Sequence, residues 1–342
     1  MLRAIVGLWM LLIPVSAWAQ TPGAVVDTLQ EAEDYLTVDP ATTLRLLEQV
    51  EQLDRLQTPL FLRWHFIRLR AAVPTHQMET MEHSLEAIFS HHTHPYFIEK
   101  IPTAMSALGI WLRRHDYLND ARLSLECAYK YAQSDQQRLT LTNSLALVSR
   151  QLGDYEQARS LYDRAINIAD KAGITSKNGI IANNLGIIEL ELGKVAEAEA
   201  QFRKALANYQ EIDKRSGQIS AGVNLLFAFI IQKQLLNYQR LYGPTARLTE
   251  SFPNETKQAM LLWVNARFMQ LEGHPVSQQS KSALKLAYTQ LQDDNVRRLV
   301  FQHLATPLGV DVQLPKPVVV RPFERSWYNA VKACDWATAV AL

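Results

Sequence analysis

The sequence has few residues that break helices and no excess of charge of either sign. It contains 13 glycines and 14 prolines in 342 residues, and strand-like alternation never extends beyond a few positions. There are 35 Lys and Arg residues against 34 Asp and Glu residues. Nucleic acids and anionic membranes attract proteins with a basic excess. The composition therefore favours a helical protein and argues against nucleic acid as its main partner.

Motifs that carry catalysis or bind nucleotides are missing as well. The sequence contains no glycine-rich phosphate loop ending in Lys-Ser or Lys-Thr, no His-Glu-x-x-His and no Gly-x-Ser-x-Gly. We therefore predict a protein that is not an enzyme and needs no cofactor. A cell-wall enzyme, whose site would be assembled from distant carboxylates, is the third of three hypotheses.

Long hydrophobic runs are confined to the N terminus. Arg3 precedes the apolar stretch Ala4–Val15, and Ser16-Ala17-Trp18-Ala19 supplies the small residues of a cleavage site before Gln20. This order is typical of a secretory signal, and the stretch is short for a membrane span. We predict a signal peptide at residues 1–19, a periplasmic location in a bacterial envelope and no transmembrane segment after cleavage.

An internal repeat is the strongest feature that is present. NNLGIIELELGKVAEAEAQFRKAL (183–206) follows NSLALVSRQLGDYEQARSLYDRAI (143–166) after forty residues. A fixed period of this length indicates a stacked array of similar units. In each copy, small residues flank one aromatic at helical spacing, as in Ala198, Phe202 and Ala205. The pattern predicts pairs of interlocking helices.

Local signals place the ends of these helices. Gly153 and Gly193 are expected to end the first helix of their pairs, because glycine adopts the left-handed cap conformation at little cost. Asp154 is expected to cap the helix that follows. Gly186 is expected to let the second helix of its pair approach closely, since it has no side chain.

These residues resemble the tetratricopeptide repeat in its longer form of about 40 residues. The resemblance implies an all-α fold, a right-handed α-solenoid of about seven antiparallel helix pairs. It is close over residues 97–250 and loose on either side. The predicted segments are the signal peptide (1–19), degenerate N-terminal pairs (24–92), the repeats (97–250), degenerate C-terminal pairs (255–304), a Pro-rich linker (305–323), and a capping helix or incomplete repeat (324–342).

The resemblance also implies a function and a binding surface. Repeats of this family form a concave groove that grips a peptide or a partner helix, and an Asn before the Leu-Gly pair holds the ligand backbone. That role maps onto Asn184 and Asn224. Asn143 and Asn183 are expected to face the same groove, and Arg150 is expected to contact an acidic group there.

The leading hypothesis is a non-catalytic periplasmic scaffold that binds a peptide or protein in this groove. One candidate partner is the periplasmic domain of a membrane protein. Envelope signalling and envelope assembly fit equally well.

The second hypothesis is a periplasmic protein that binds a metal or a small ligand. His91, His92 and His94 offer three imidazoles in four residues, and Trp263 marks a possible aromatic pocket. Adjacent histidines on a helix point in different directions, and the histidine cluster contains no Cys, Asp or Glu. A solvated loop is the simpler interpretation, so no metal site is predicted.

The only two cysteines, Cys127 and Cys334, are far apart in the chain. An exported protein is exposed to oxidising conditions, which allow disulfides to form. In a repeat array, however, distant repeats seldom touch, and Cys127 lies on an apolar helical face. We therefore predict that both cysteines are separate core residues.

Overall fold

The structure, a computed structural model, describes residues 21–251, 254–316 and 322–336, so the predicted signal peptide lies outside the described residues. Every regular element in these ranges is helical, which confirms the all-α prediction. No described helix is long and apolar enough to span a membrane. The helices are α1 (Pro22–Tyr35), α2 (Pro40–Leu47), α3 (Thr58–Ala72), α4 (Met78–Phe89), α5 (Pro95–Glu99), α6 (Ile101–Arg114), α7 (Leu118–Lys130), α8 (Asp135–Gln151), α9 (Tyr155–Ala172), α10 (Asn178–Glu191), α11 (Val195–Glu211), α12 (Arg215–Ile231), α13 (Leu235–Ser251), α14 (Glu255–Leu271), α15 (Gln278–Thr289), α16 (Asp294–Val300), α17 (Thr306–Leu308) and α18 (Tyr328–Ala333).

The chain divides into two compact units, one ending at Ala107 and the other beginning at Leu108. Short loops join successive helices into antiparallel pairs, as the repeat pattern predicts. These pairs are α1–α2, α3–α4, α6–α7, α8–α9, α10–α11, α12–α13 and α14–α15. In unit 2, the unit that begins at Leu108, α8, α10, α12 and α14 are the first helices of their pairs, and the C-terminal half of α6 also belongs to this unit.

The predicted helix ends are confirmed in the central pairs. Gly153 and Gly193 follow their first helices with φ of +79° and +76°. A residue with a Cβ adopts this left-handed conformation only at a cost. The Asp154 side chain accepts a hydrogen bond from the backbone N–H of Gln157 at 3.0 Å, which caps α9.

Close packing within a pair depends on the predicted small residues. A Cβ added at Gly186 of α10 would lie 2.5 Å from the ring of Phe202 on α11. Phe202 is fully buried, as are Ala198 and Ala205 on either side of it. The glycine therefore makes the space that the aromatic ring fills.

The first unit has its own apolar core. Val25, Leu29 and Leu47 pack with Trp64 and Ile67, drawn from α1, α2 and α3. The Trp64 Nε1–H donates to the backbone carbonyl of Leu47 at 2.9 Å, so the buried indole is satisfied. Three helices thus bury a shared core even though their sequences match the repeat loosely.

The C-terminal pairs of unit 2 continue the core of the repeats. Trp263 of α14 is fully buried and packs edge-on against Tyr288 of α15. The indole that we considered as the centre of a ligand pocket is therefore part of the core. A cavity of about 440 Å³ lies nearby between α14 and α15, lined by apolar side chains such as Leu262 and Met269, and Trp263 is not among its lining residues.

The prediction of two separate core cysteines is wrong, because Cys127 and Cys334 form a disulfide with a Cα–Cα distance of 5.7 Å. The C-terminal segment 322–336 packs on α7, although about two hundred residues separate the two in sequence. Asp120 of α7 accepts hydrogen bonds from the Phe323 N–H at 3.1 Å and from the Tyr328 hydroxyl at 2.7 Å. The prediction assumed that only neighbouring repeats touch, and this segment does not follow the stack.

Candidate partner-binding face

Successive first helices of unit 2 lie next to one another. α8 contacts α10, α10 contacts α12, and α12 contacts α14. We term the surface of these neighbouring first helices the inner face. The same repeat position therefore recurs on this face once per helix pair.

The four asparagines predicted to bind a partner form two hydrogen-bonded pairs between neighbouring first helices. The Nδ2 of Asn184 donates to the Oδ1 of Asn143 at 3.1 Å, and the Nδ2 of Asn224 donates to the Oδ1 of Asn183 at 3.0 Å. Both pairs span 41 residues, so one bond links α8 to α10 and the other links α10 to α12. The amides thus hold neighbouring first helices together.

Two polar atoms of this set remain open. Asn183 and Asn184 are each 7% exposed, whereas Asn143 and Asn224 are half-buried. Among the described residues, the Nδ2 of Asn143 and the Oδ1 of Asn224 make no further hydrogen bond. One is a donor and the other an acceptor, and an extended backbone presents complements to both. Binding of a partner by these amides stays a prediction.

Arg150 lies at the C-terminal end of α8 and already has two acidic partners. Its Nη1 donates to Glu191 Oε1 at the end of α10, and its Nη2 donates to Asp293 Oδ2 just before α16. The side chains of Arg150 and Glu191 are 6% and 3% exposed. The predicted contact with a partner's acid would therefore have to compete with Asp293 or Glu191.

Burial affects the pKa values of Glu191 and Asp293. It raises the pKa of Glu191 to about 7, although Arg150 opposes the shift. Burial also disfavours ionised Asp293, but Arg150 and the N–H groups of Asn295 and Val296 outweigh it and hold the pKa of Asp293 below its ordinary value. Asp293 is therefore ionised over a wider pH range than Glu191.

Two further cations lie close to these groups. Arg113, at the end of α6, donates to Gln151 Oε1 at 3.2 Å, and burial followed by neighbouring arginines lowers its pKa. Burial also lowers the pKa of Lys257 in α14, with Asp293 as the opposing charge. Neither cation forms a salt bridge with any carboxylate in the part of the chain that the structure describes. The charged cluster of unit 2 comprises Arg113, Arg150, Glu191, Lys257 and Asp293.

Comparison with known proteins agrees with the helix pairs. Residues 137–211, which run from α8 to the end of α11, match the tetratricopeptide repeat family. These residues form tetratricopeptide repeats. The two amide pairs and the Arg150–Glu191 contact lie within these repeats or join them to α12. No curated protein matches the sequence.

Similarity to solved structures is broad but low. BtubC (BKLC) from P. vanneervenii is 13% identical, with a TM-score of 0.37 over 89% of this chain and 97% of that one. A Rap protein complexed with Competence and Sporulation Factor is 12% identical, with a TM-score of 0.42 over 84% and 97%. The apo quorum sensor NprR from B. thuringiensis is 15% identical, with a TM-score of 0.38 over 82% and 98%. Similarity at this level transfers no function.

The histidine cluster uses its ring nitrogens locally. Nδ1 of His91 lies 3.0 Å from the carbonyl oxygen of Ala87, and Nδ1 of His92 lies 2.9 Å from that of Phe89. His94 Nδ1 accepts the N–H of Tyr96 and caps α5. In the described residues no three His, Cys, Asp or Glu side chains converge as metal ligands. A metal would have to bind through the Nε2 atoms.

Sequence reasoning missed most of the charged cluster. Arg150 and Glu191 are 41 residues apart, the spacing of the amide pairs, so the repeat itself contained a signal for this contact. Asp293 lies 143 residues from Arg150, and no repeat spacing connects them. Arg113 and Lys257 stand out only when their burial is known.

Proposed function

We propose that unit 2 is a non-catalytic scaffold that binds an extended peptide or protein segment along its inner face. The observation that carries this proposal is the pair of hydrogen bonds between asparagine side chains, which repeat at the same spacing. They leave a donor open at Asn143 and an acceptor open at Asn224. Because a backbone offers the same groups whatever its sequence, such a surface suits an extended chain. We also propose that the scaffold serves envelope signalling or assembly.

The test is selection of random peptides on the immobilised full chain, followed by affinity measurement. The Asn143→Ala/Asn224→Ala variant should bind the selected peptides roughly tenfold more weakly or worse, since hydrogen bonds left unmade cost about 1–3 kcal/mol each. Asn208→Ala is the matched control, because Asn208 lies on α11 and donates to its own helix at Lys204. Equal affinities in all three proteins, with the double variant still folded, would refute the role of the inner face.

A periplasmic location is part of the proposal. The sequence from Arg3 to Ala19 supports it, and so does the disulfide, since such bonds persist in oxidising compartments. Mass spectrometry of the protein from its native cells should find an N terminus at Gln20. Alkylation without reduction should leave Cys127 and Cys334 unmodified. An intact N terminus or two free thiols would contradict the proposed location.

A further inference from the structure

We propose that the Cys127–Cys334 disulfide is a redox switch whose reduction releases the C-terminal segment, residues 322–336, from α7. Release uncovers the aromatic face of α6 and α7 on which this segment lies. The two cysteines, the segment and the face all belong to unit 2. None of them lies on the helices that form the inner face, so the switch is separate from the proposed peptide site.

The C-terminal segment has little regular structure of its own. In its described residues the helix is α18, which has six residues, and a helix of this length is not stable alone in water. Cys334 follows α18 with φ of +46°. A residue with a Cβ adopts this left-handed conformation only at a cost. The segment therefore keeps its conformation through its contacts with the helices beneath it.

Hydrogen bonds tie both ends of the segment to α7 and the residue after it. Asp120 accepts two of them at the start of the segment. At its end, the Trp336 N–H donates to the Tyr131 hydroxyl at 3.0 Å. The Lys130 Nζ donates to the Cys334 carbonyl at 3.0 Å, but Lys130 is exposed, so water replaces this bond at little cost. The disulfide is therefore the strongest tie at the end of the segment.

Aromatic side chains form the face that the segment covers. The Phe323 ring packs edge-on against Trp111 of α6 and against Tyr117, with ring centroids 5.8 and 5.3 Å apart. Phe323 and Trp111 are both buried. The Trp111 Nε1–H is buried as well and has no acceptor among the described residues. A buried donor without an acceptor is unfavourable, and exposure to water would satisfy it.

The two cysteines differ in exposure, which sets the direction of attack. Cys127 is 3% exposed, whereas Cys334 is half-buried. The reductant is a dithiol, such as a thiol–disulfide oxidoreductase in its reduced form. One of its thiolates attacks the Sγ of Cys334, and the electron pair of the broken S–S bond goes to the Sγ of Cys127. The second thiolate then displaces Cys334, so the reductant leaves as a disulfide and both cysteines take up the protons that its thiols lost.

Release of the segment follows from the loss of this bond. A cross-link between residues far apart in the chain favours the docked arrangement, because it limits the conformations of the released one. Once the bond is broken, Cys334 is also free to leave its left-handed conformation. An oxidising compartment thus keeps the aromatic face covered, and a dithiol reductant uncovers it.

Hydrogen exchange of the full chain, with and without dithiothreitol in native buffer, tests the release. Backbone amides of residues 322–336 should exchange about tenfold faster or more in the reduced chain, because loss of the cross-link favours the released state. Amides around Phe202, in the core of unit 2, should still be protected on the same timescale. A segment that is as protected after reduction as before would overturn the switch, and so would loss of protection at both places together.

The variant Cys127→Ser/Cys334→Ser connects the effect to the disulfide. Its C-terminal segment should exchange as fast as that of the reduced wild type, whether or not dithiothreitol is present. Amides around Phe202 again report that unit 2 is folded. A protected segment in this folded variant would show that the other contacts hold it without the disulfide, and would contradict the switch.

Alkylation of the reduced chain with iodoacetamide in native buffer measures access to the cysteines. The Sγ of Cys127 faces Cys334 in the oxidised protein, so the segment must move before a reagent reaches it. Both cysteines should therefore be modified without denaturant. Modification of Cys334 alone, with Cys127 reacting only in urea, would show that the segment stays in place and would overturn the switch.

Discussion

The ionisation of Glu191 should make the stability of unit 2 depend on pH. Its pKa is raised from 4.5 to about 7 by burial, so the folded protein binds a proton that the unfolded chain releases. The resulting stabilisation is fully present below about pH 4.5 and is lost as the pH rises through 7. Between these limits the wild-type chain should lose on the order of 3 kcal/mol relative to Glu191→Gln.

Urea unfolding of both proteins between about pH 4 and pH 8 measures this difference. The free energy of unfolding of unit 2 should fall with pH more steeply in the wild type than in Glu191→Gln. Glu197→Gln, at an exposed position of α11, should follow the wild-type curve. Parallel curves for wild type and Glu191→Gln would show that Glu191 is ionised throughout.

Gly186 sets the distance between α10 and α11. In Gly186→Ala the new Cβ would meet the fully buried Phe202 ring at 2.5 Å, so the ring would have to shift within the core. We expect a net loss of about 1–3 kcal/mol despite the higher helix propensity of alanine. Gly23→Ala in α1 has open space around it and should be neutral or slightly stabilising. Equal melting temperatures for Gly186→Ala and wild type would contradict this packing.

At the scale of elements, the sequence predicted features that depend on residues close together in the chain. Gly153, Gly193 and Asp154 act on the residues next to them, so their types were enough to place the ends of α8, α9 and α10. The repeat relates the positions of the four asparagines, and from it the sequence predicts that they share one face. The hydrogen bonds between these asparagines depend on the distance between helices, which the sequence pattern alone does not predict.

Contacts between elements far apart in the chain could not be predicted from the sequence. Asp293 reaches Arg150 across 143 residues, and Cys334 reaches Cys127 across 207. Neither follows from helical periodicity, because each depends on how several helix pairs stack and on the path of an irregular segment.

Asp120 anchors the C-terminal segment on α7. Asp120→Ala removes the acceptor for the Phe323 N–H and the Tyr328 hydroxyl, and leaves both donors buried. Residues 322–336 should then exchange amide hydrogens faster, although the disulfide still holds Cys334. Glu126→Ala, at an exposed site on the same helix, is the control. Unchanged exchange at Phe323 would show that the disulfide alone fixes the segment.

At the scale of the whole molecule, each unit has its own buried core. Leu29 and Trp64 belong to the core of the first unit, whereas Phe202 and Trp263 belong to that of the second. Repeat arrays gain stability from neighbouring pairs, so long arrays need not unfold in one step. Calorimetry should therefore resolve two transitions, one for each unit.

The disulfide supplies a way to assign these transitions. Cys127 and Cys334 both lie in unit 2, and a cross-link between distant residues stabilises typically by about 2–4 kcal/mol. Reduction with dithiothreitol should lower the melting temperature of one transition by roughly 5–10 °C and leave the other unchanged. In Cys127→Ser/Cys334→Ser the same transition should be lowered and the reductant should have no effect. If both transitions moved together in the wild type, the units would be unfolding as one, because a cross-link confined to unit 2 stabilises the first unit only through cooperative unfolding.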